Sequence, residues 1–242
     1  MKKTLVMTAL LLFAGTSLYA SYKEALKLFE QKDYKGSLKM IADELETAND
    51  TKPDSPNYNL RFLAAHNHWK LGNTKSAIDH FTRCIAIKKN KVDPYIDLAL
   101  LQIEIKKYAE ADATAKKGME VEKSPMLYYI MGMTSLKREN FWKAKEMFEK
   151  ANSLNPDLYY SYNALGVTLM KLKKYGEANT AFSAAYAVKP RSVEIVNNLG
   201  MSYEKLGKVK DAYEYYKKAL ALDEKNRVIA TNIDRVKGKV KN

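Results

Sequence analysis

Residues 162–178 read YNALGVTLMKLKKYGEA, a run of Leu, Val, Met and Lys interrupted by Gly166. The run is good helix-forming material, yet a glycine inside a helix costs about 1 kcal/mol relative to alanine. The cost becomes intelligible when the same residue is sought elsewhere. Gly132, Gly166 and Gly200 are spaced by 34 residues, and so are Ala144, Ala178 and Ala212. Ala151, Ala185 and Ala219 repeat with the same step, as do Phe148, Phe182 and Tyr216, and Pro156 and Pro190. Several independent columns sharing one period identify an internal repeat, in which each unit cannot bury its apolar face alone and relies on its neighbours.

One repeat carries Tyr162, Leu165-Gly166, Tyr175, Ala178, Phe182, Ala185 and Pro190. The preceding one carries Tyr128, Met131-Gly132, Phe141, Ala144, Phe148, Ala151 and Pro156. The following one carries Val196, Leu199-Gly200, Tyr203, Ala212, Tyr216 and Ala219, with Glu224 in place of the proline. This pattern resembles the tetratricopeptide repeat family, whose units are antiparallel helical hairpins. Two weaker copies come earlier, one with Tyr95, Leu98-Ala99, Tyr108 and Ala111, the other with Ala64-Ala65, Leu71-Gly72, Ala77 and Phe81. The resemblance implies an all-α fold, a right-handed α-solenoid of five tetratricopeptide hairpins over 58–226, divided at 58–91, 92–124, 125–158, 159–192 and 193–226. Gly166 and Ala178 are then expected as small contact residues where the two helices of a hairpin cross. A degenerate copy around Tyr34, Ser37 and Ile41 fills 21–57, ending in the turn-rich linker TKPDSPN at 51–57. In residues 227–242, Ile229, Ile233, Val236 and Val240 form one apolar stripe at helical spacing, which predicts a capping helix.

Residues 1–20, MKKTLVMTALLLFAGTSLYA, read as a signal peptide: Lys2 and Lys3, a short apolar stretch, then small residues before a cut after Ala20. The expected location is therefore outside the cytoplasm, in a bacterial periplasm, with no transmembrane span in the mature chain because the apolar run is shorter than the roughly 20 residues a spanning helix needs. A single cysteine, Cys84, excludes an intramolecular disulfide and falls in a small-residue core column. The formal charge of +13 favours an acidic partner or an anionic envelope surface, although the charges are scattered along the helices rather than gathered in one block.

The sequence carries no phosphate-binding glycine loop and no nucleophile elbow. His66 and His68 point to different faces of one helix, and without a cysteine pair no metal site is expected. Most of the 17 tyrosines fall on packing columns, so nucleic acid is not an expected partner. Neither catalysis nor a cofactor is implied. The resemblance does imply where a partner would lie, because the first helix of each repeat lines a concave groove. Transferred residue by residue, the lining is Phe62 and Trp69, then Ile96 and Leu100, then Tyr129 and Met133, then Tyr160, Asn163 and Met170, then Asn197 and Met201. Methionine adapts to varied apolar partners, and Asn163 and Asn197 are suited to hydrogen-bond an extended peptide backbone. The positions that hold a C-terminal carboxylate in some relatives carry Phe62, His66, Asp97, Met126 and Ile130, which argues against that mode. The expected function is a protein–protein interaction scaffold that binds a protein or peptide segment; the alternative is a carrier of a small hydrophobic ligand such as a lipid.

Overall fold

The computed structural model describes residues 20–47 and 57–240, and every regular element in them is a helix. The proposed signal peptide up to residue 19 and most of the linker, 51–56, lie outside the described residues. The chain divides into two compact units, with the border between Lys106 and Lys107 inside the second repeat.

The first unit holds a helix over 20–30 (α1), α2 (Tyr34–Met40), α3 (Ala42–Glu46), α4 (Asn57–Lys70), α5 (Thr74–Ile87) and α6 (Asp93–Glu104). The degenerate copy is a broken hairpin whose second arm is interrupted at Ile41, where ψ has risen to 8°. Ile41 is nevertheless fully buried with Ala25, Leu60 and Leu63. Ser37, also buried, accepts a 2.8 Å hydrogen bond from Asn67 Nδ2 on α4, tying the irregular hairpin to the first regular one. Cys84 is fully buried beside Tyr58 and Ile87.

The second unit holds α7 (Tyr108–Val121), α8 (Pro125–Lys137), α9 (Phe141–Leu154), α10 (Tyr159–Lys171), α11 (Tyr175–Val188), α12 (Val193–Lys205), α13 (Val209–Leu222) and α14 (Arg227–Val240). Each helix packs on the next in the chain from α7 to α14, and α10 also touches α8 and α12. Phe148, Phe182 and Tyr216, the aromatic column, are the largest buried side chains of this unit. The terminal stripe packs on the fifth hairpin: Ile229 and Val236 are buried against Val196, Ala212, Tyr216 and Ala219.

The repeated glycine has a different neighbour from the one expected. A β-carbon on Gly166 would stand 2.5 Å from Cε1 of Phe182, and one on Gly132 would stand at the same distance from Phe148. The atoms nearest to the added carbon belong to the aromatic ring of its own hairpin. At Gly200 the conflict would be with Tyr216 at 2.8 Å, and a backbone approach to Ala212 O at 3.4 Å is the lesser contact. A second correction concerns Tyr203: it lies within α12, and the residue that opens the second helix of that hairpin is Val209.

The turn inside each hairpin ends its first helix with a residue in the left-handed region. These residues are Lys32, Gly72, Lys106, Glu139, Lys173 and Gly207, with φ between 58° and 75°. In the fourth repeat Lys174 N donates to Leu169 O and Lys173 N to Met170 O, a Schellman closure that satisfies the orphan carbonyls of the helix end. Only glycine adopts this conformation freely. Lys173→Gly is expected to raise stability by about 0.5–1 kcal/mol, the relieved strain exceeding the added entropy of the unfolded chain. A urea midpoint that moves down would show that Lys173 is unstrained.

Candidate functional site

First helices carry the predicted lining, and the two units present different chemistry. In the first unit, α4 contributes an aromatic cluster. Phe62 meets the His66 ring edge-on at 4.7 Å, and His66 stacks on Trp69 at 6.1 Å. Polar contacts fasten this face to α6: His66 Nε2 lies 3.1 Å from Asp97 Oδ2, and Trp69 Nε1 donates to Glu104 Oε2 at 2.8 Å. Ile96 and Leu100 on α6 are half-buried.

His68 points to the other face and stacks on His80 at 5.3 Å. Burial, followed by the charge of Arg61, pushes the His80 pKa down to about 4, and its Nδ1 has no hydrogen-bond partner. A histidine held below its unfolded value stabilises the fold while it stays neutral. That contribution is complete above the unfolded pKa and is lost as pH falls from about 6.5 towards 4. Melting temperature is therefore expected to drop over this window, and His80→Gln should flatten the profile. Among the described residues no group of three or more His, Cys, Asp or Glu side chains is arranged to hold a metal.

In the second unit the lining is apolar. Tyr129 on α8 meets Tyr160 on α10 edge-on at 4.7 Å, and burial pushes the Tyr129 phenol up to about 12. Tyr129 also lies 5.9 Å from Phe148, so it supports its own hairpin as well as facing outward. Tyr160 OH reaches Met126 Sδ at 3.8 Å. Met133 and Met170 pack at the margin of the same core. Between α10 and α12 a half-open cleft of about 340 Å³ is lined by Val167, Met170, Lys171, Phe182, Asn198 and Met201. Met201, at 38% exposure, is the most accessible of the predicted lining residues.

The two asparagines are placed otherwise than the sequence suggests. Asn163 is buried, with its Nδ2 donating to Glu194 Oε1 at 2.8 Å and its Oδ1 accepting from Asn198 Nδ2 at 3.0 Å. Asn197 Oδ1 accepts in the same way from Asn232 Nδ2 at 3.0 Å. Their amides join successive first helices, so a ligand backbone would have to compete for them. Sequence reasoning missed the partners Asn198 and Asn232, which lie 35 residues on rather than 34 and so fall outside the repeat columns. It also missed the clamp on the cap, where Arg235 holds Glu204 bidentately at 3.0 and 2.7 Å and Tyr216 OH donates to the same carboxylate at 2.8 Å.

Stacked hairpins that present an apolar cleft from their first helices define a helical repeat scaffold. The tetratricopeptide repeat family models match residues 58–91, 127–158, 159–192 and 193–226, more than half of the chain. The chain belongs to the tetratricopeptide repeat family. No curated protein matches it. Among solved structures it is similar to PilW, a widely conserved type IV pilus biogenesis factor, with 17% identity over 88% of this chain and 97% of that one and a TM-score of 0.75. It is likewise similar to PilF of Pseudomonas aeruginosa, with 14% identity, 93% and 98% coverage and a TM-score of 0.75. YrrB, a tetratricopeptide protein with an unusual peptide-binding site, matches at 18% identity, 76% and 93% coverage and a TM-score of 0.59. These similarities establish the all-α tetratricopeptide solenoid fold. No helix among the described residues is long and apolar enough to cross a membrane.

Proposed function

We propose that this chain is a non-enzymatic adaptor of the bacterial cell envelope that binds an extended protein segment along its first helices. The tetratricopeptide scaffold supports a role in protein–protein interaction, and the observation that carries the rest is the cleft between α10 and α12. It is apolar, open on one side, and edged by the adaptable side chains of Met170 and Met201. Asn198 and Lys171 supply the polar groups that would fix the register of a bound chain. Similarity to PilW and PilF, and the leader-like residues 1–20, favour the envelope.

The test begins with capture from envelope extract on the immobilised chain, followed by titration of the recovered protein. Met170→Glu and Met201→Glu are expected to weaken binding by about tenfold or more, because each places a charge in an apolar contact. Met201 is exposed enough for its variant to keep the parent melting temperature. If binding survives both changes but is lost, in a salt-dependent way, in Lys237→Glu with Lys239→Glu, the partner docks electrostatically at the cap and the cleft reading fails.

A second reading rests on the size of the same cleft. About 340 Å³ with a mainly apolar lining falls within the range of small-molecule pockets. A carrier of a small hydrophobic ligand would leave lipid in an organic extract of the purified protein, and Met170→Glu would abolish it. An empty extract would leave the protein-segment reading.

A further inference from the structure

The chain's positive charge is gathered by the fold along one edge of the second unit. Because α8, α10 and α12 are neighbours running in the same direction, the turns that follow them stack at one edge. Counted with the last residue of the helix before and the first three of the helix after, these turns are residues 137–143, 171–177 and 205–211. Together they carry nine Lys or Arg and three acids, Glu139, Glu177 and Asp211. The matching segments at the opposite edge, 154–161, 188–195 and 222–229, carry four basic and four acidic residues. A lysine-rich composition alone would load both edges alike.

Lys137, Arg138, Lys173, Lys205, Lys208 and Lys210 are exposed, and none has an acidic partner within 4 Å among the described residues. Glu177 is paired with Lys174 at 2.8 Å and Glu204 with Arg235 at 2.7 Å, so two of the nearby acids are already engaged; Asp211 remains beside Lys210. Apolar side chains stand among the lysines. Trp142 is 63% exposed and Leu206 38% exposed. Lys174 Nζ lies 5.3 Å from the centre of the Trp142 ring, which joins the first turn to the second.

We propose that this edge docks the protein onto an anionic lipid surface. Three properties favour a membrane over an acidic protein segment. Eight of the nine basic residues are lysines, point charges on flexible stems that suit a fluid field of headgroups, whereas a defined carboxylate or phosphate site favours the planar fork of arginine. The charges are spread over three turns rather than gathered around one pocket, and of the nine Lys171 alone borders the cleft. Trp142 and Leu206 project where an amphipathic ring and an apolar side chain would enter the headgroup region. The cleft lies between α10 and α12, so an edge-docked molecule could hold it free for a partner.

The test is co-sedimentation of the full chain with vesicles of phosphatidylcholine alone or with about 30% phosphatidylglycerol. Binding is expected to be about tenfold or more tighter on the anionic vesicles, to fall as salt rises, and to be accompanied by a blue shift of Trp142 fluorescence. A variant with Lys137→Gln, Lys173→Asn, Lys208→Gln and Lys210→Gln should lose about tenfold or more of that binding, with unchanged helicity by circular dichroism. Asparagine is chosen at 173 because it tolerates positive φ. Every variant carries the same residues 1–20, so any contribution they make cancels. Trp142→Ala should weaken binding without altering its salt dependence. Equal binding to neutral and anionic vesicles, or an unchanged four-site variant, would overturn the proposal. So would binding of soluble poly-glutamate to this edge with no affinity for vesicles, which would assign the edge to an acidic protein.

Discussion

Gly166→Leu is expected to cost the second unit about 3 kcal/mol or more, the upper end of what overpacking does in a closed core. The reason is local and severe. The first added carbon would stand 2.5 Å from Phe182 Cε1, and 2.6 Å from Cδ1 of the same ring. Phe182 is itself buried among Ala178, Ala181 and Leu199, so its ring can give way only towards the cleft between α10 and α12 that it helps to line. Gly166→Ala is the sharper experiment. Helix propensity alone would make alanine stabilising by about 1 kcal/mol. The ring conflict predicts the opposite sign. A higher melting temperature for the alanine variant would mean that Phe182 can shift, and the account of the repeated glycine would fail. The second repeat supplies a natural comparison in sequence, with Ala99 in the glycine column and Ala115 in the aromatic column. Combining Gly166→Ala with Phe182→Ala should therefore cost less than the sum of the two single changes.

Val236→Asp is expected to release the cap. Val236 is fully buried in the cluster formed by Val196, Tyr216 and Ile229. A carboxylate there would need about 3 kcal/mol or more to bury, so the helix detaches instead. The clamp of Arg235 on Glu204 sits at the surface and cannot hold the helix alone. Detachment bares the flank of α13 that α14 covers, and an uncapped repeat array is prone to associate. The variant should bind a hydrophobic dye, self-associate, and be cleaved by protease between residues 222 and 228. Lys237→Glu, one residue on but exposed, should do none of these. A Val236→Asp protein that stays monomeric and resistant would show that α14 is dispensable.

Much of the architecture was readable before any coordinates, and the reason is the 34-residue period. Each column of the repeat encodes one recurring environment, so Phe148, Phe182 and Tyr216 announced the same buried site three times over. The stripe of Ile229 and Val236 announced the cap by the same logic of spacing. Contacts that bridge repeats were less readable. Asn163 and Asn197 lie on first helices as expected, but what their amides do depends on Asn198 and Asn232 in the following hairpin. Position rules place a side chain on a face; they do not say whether its hydrogen bonds are already taken. The glycine column is legible but its nearest neighbour is not, because the ring that fills the space reaches over from a different turn of the partner helix. The concentration of lysines in the turns was also hidden, since residues 137, 173 and 208 are distant in sequence and become one edge only when the hairpins stack.

The paired asparagines bear on how such a chain can change length. The amide of Asn163 receives Asn198, and the amide of Asn197 receives Asn232, so the fifth repeat offers its successor the same asparagine acceptor that it meets in its predecessor. A duplicate of residues 193–226 inserted before Arg227 would present an Asn198 equivalent to the original Asn197 and an Asn197 equivalent to Asn232. The seam of the duplicate with α14 would copy the existing one, and the seam between original and duplicate would reuse the asparagine pairing of the fourth and fifth repeats, so that hydrogen bond does not limit the array to its present length.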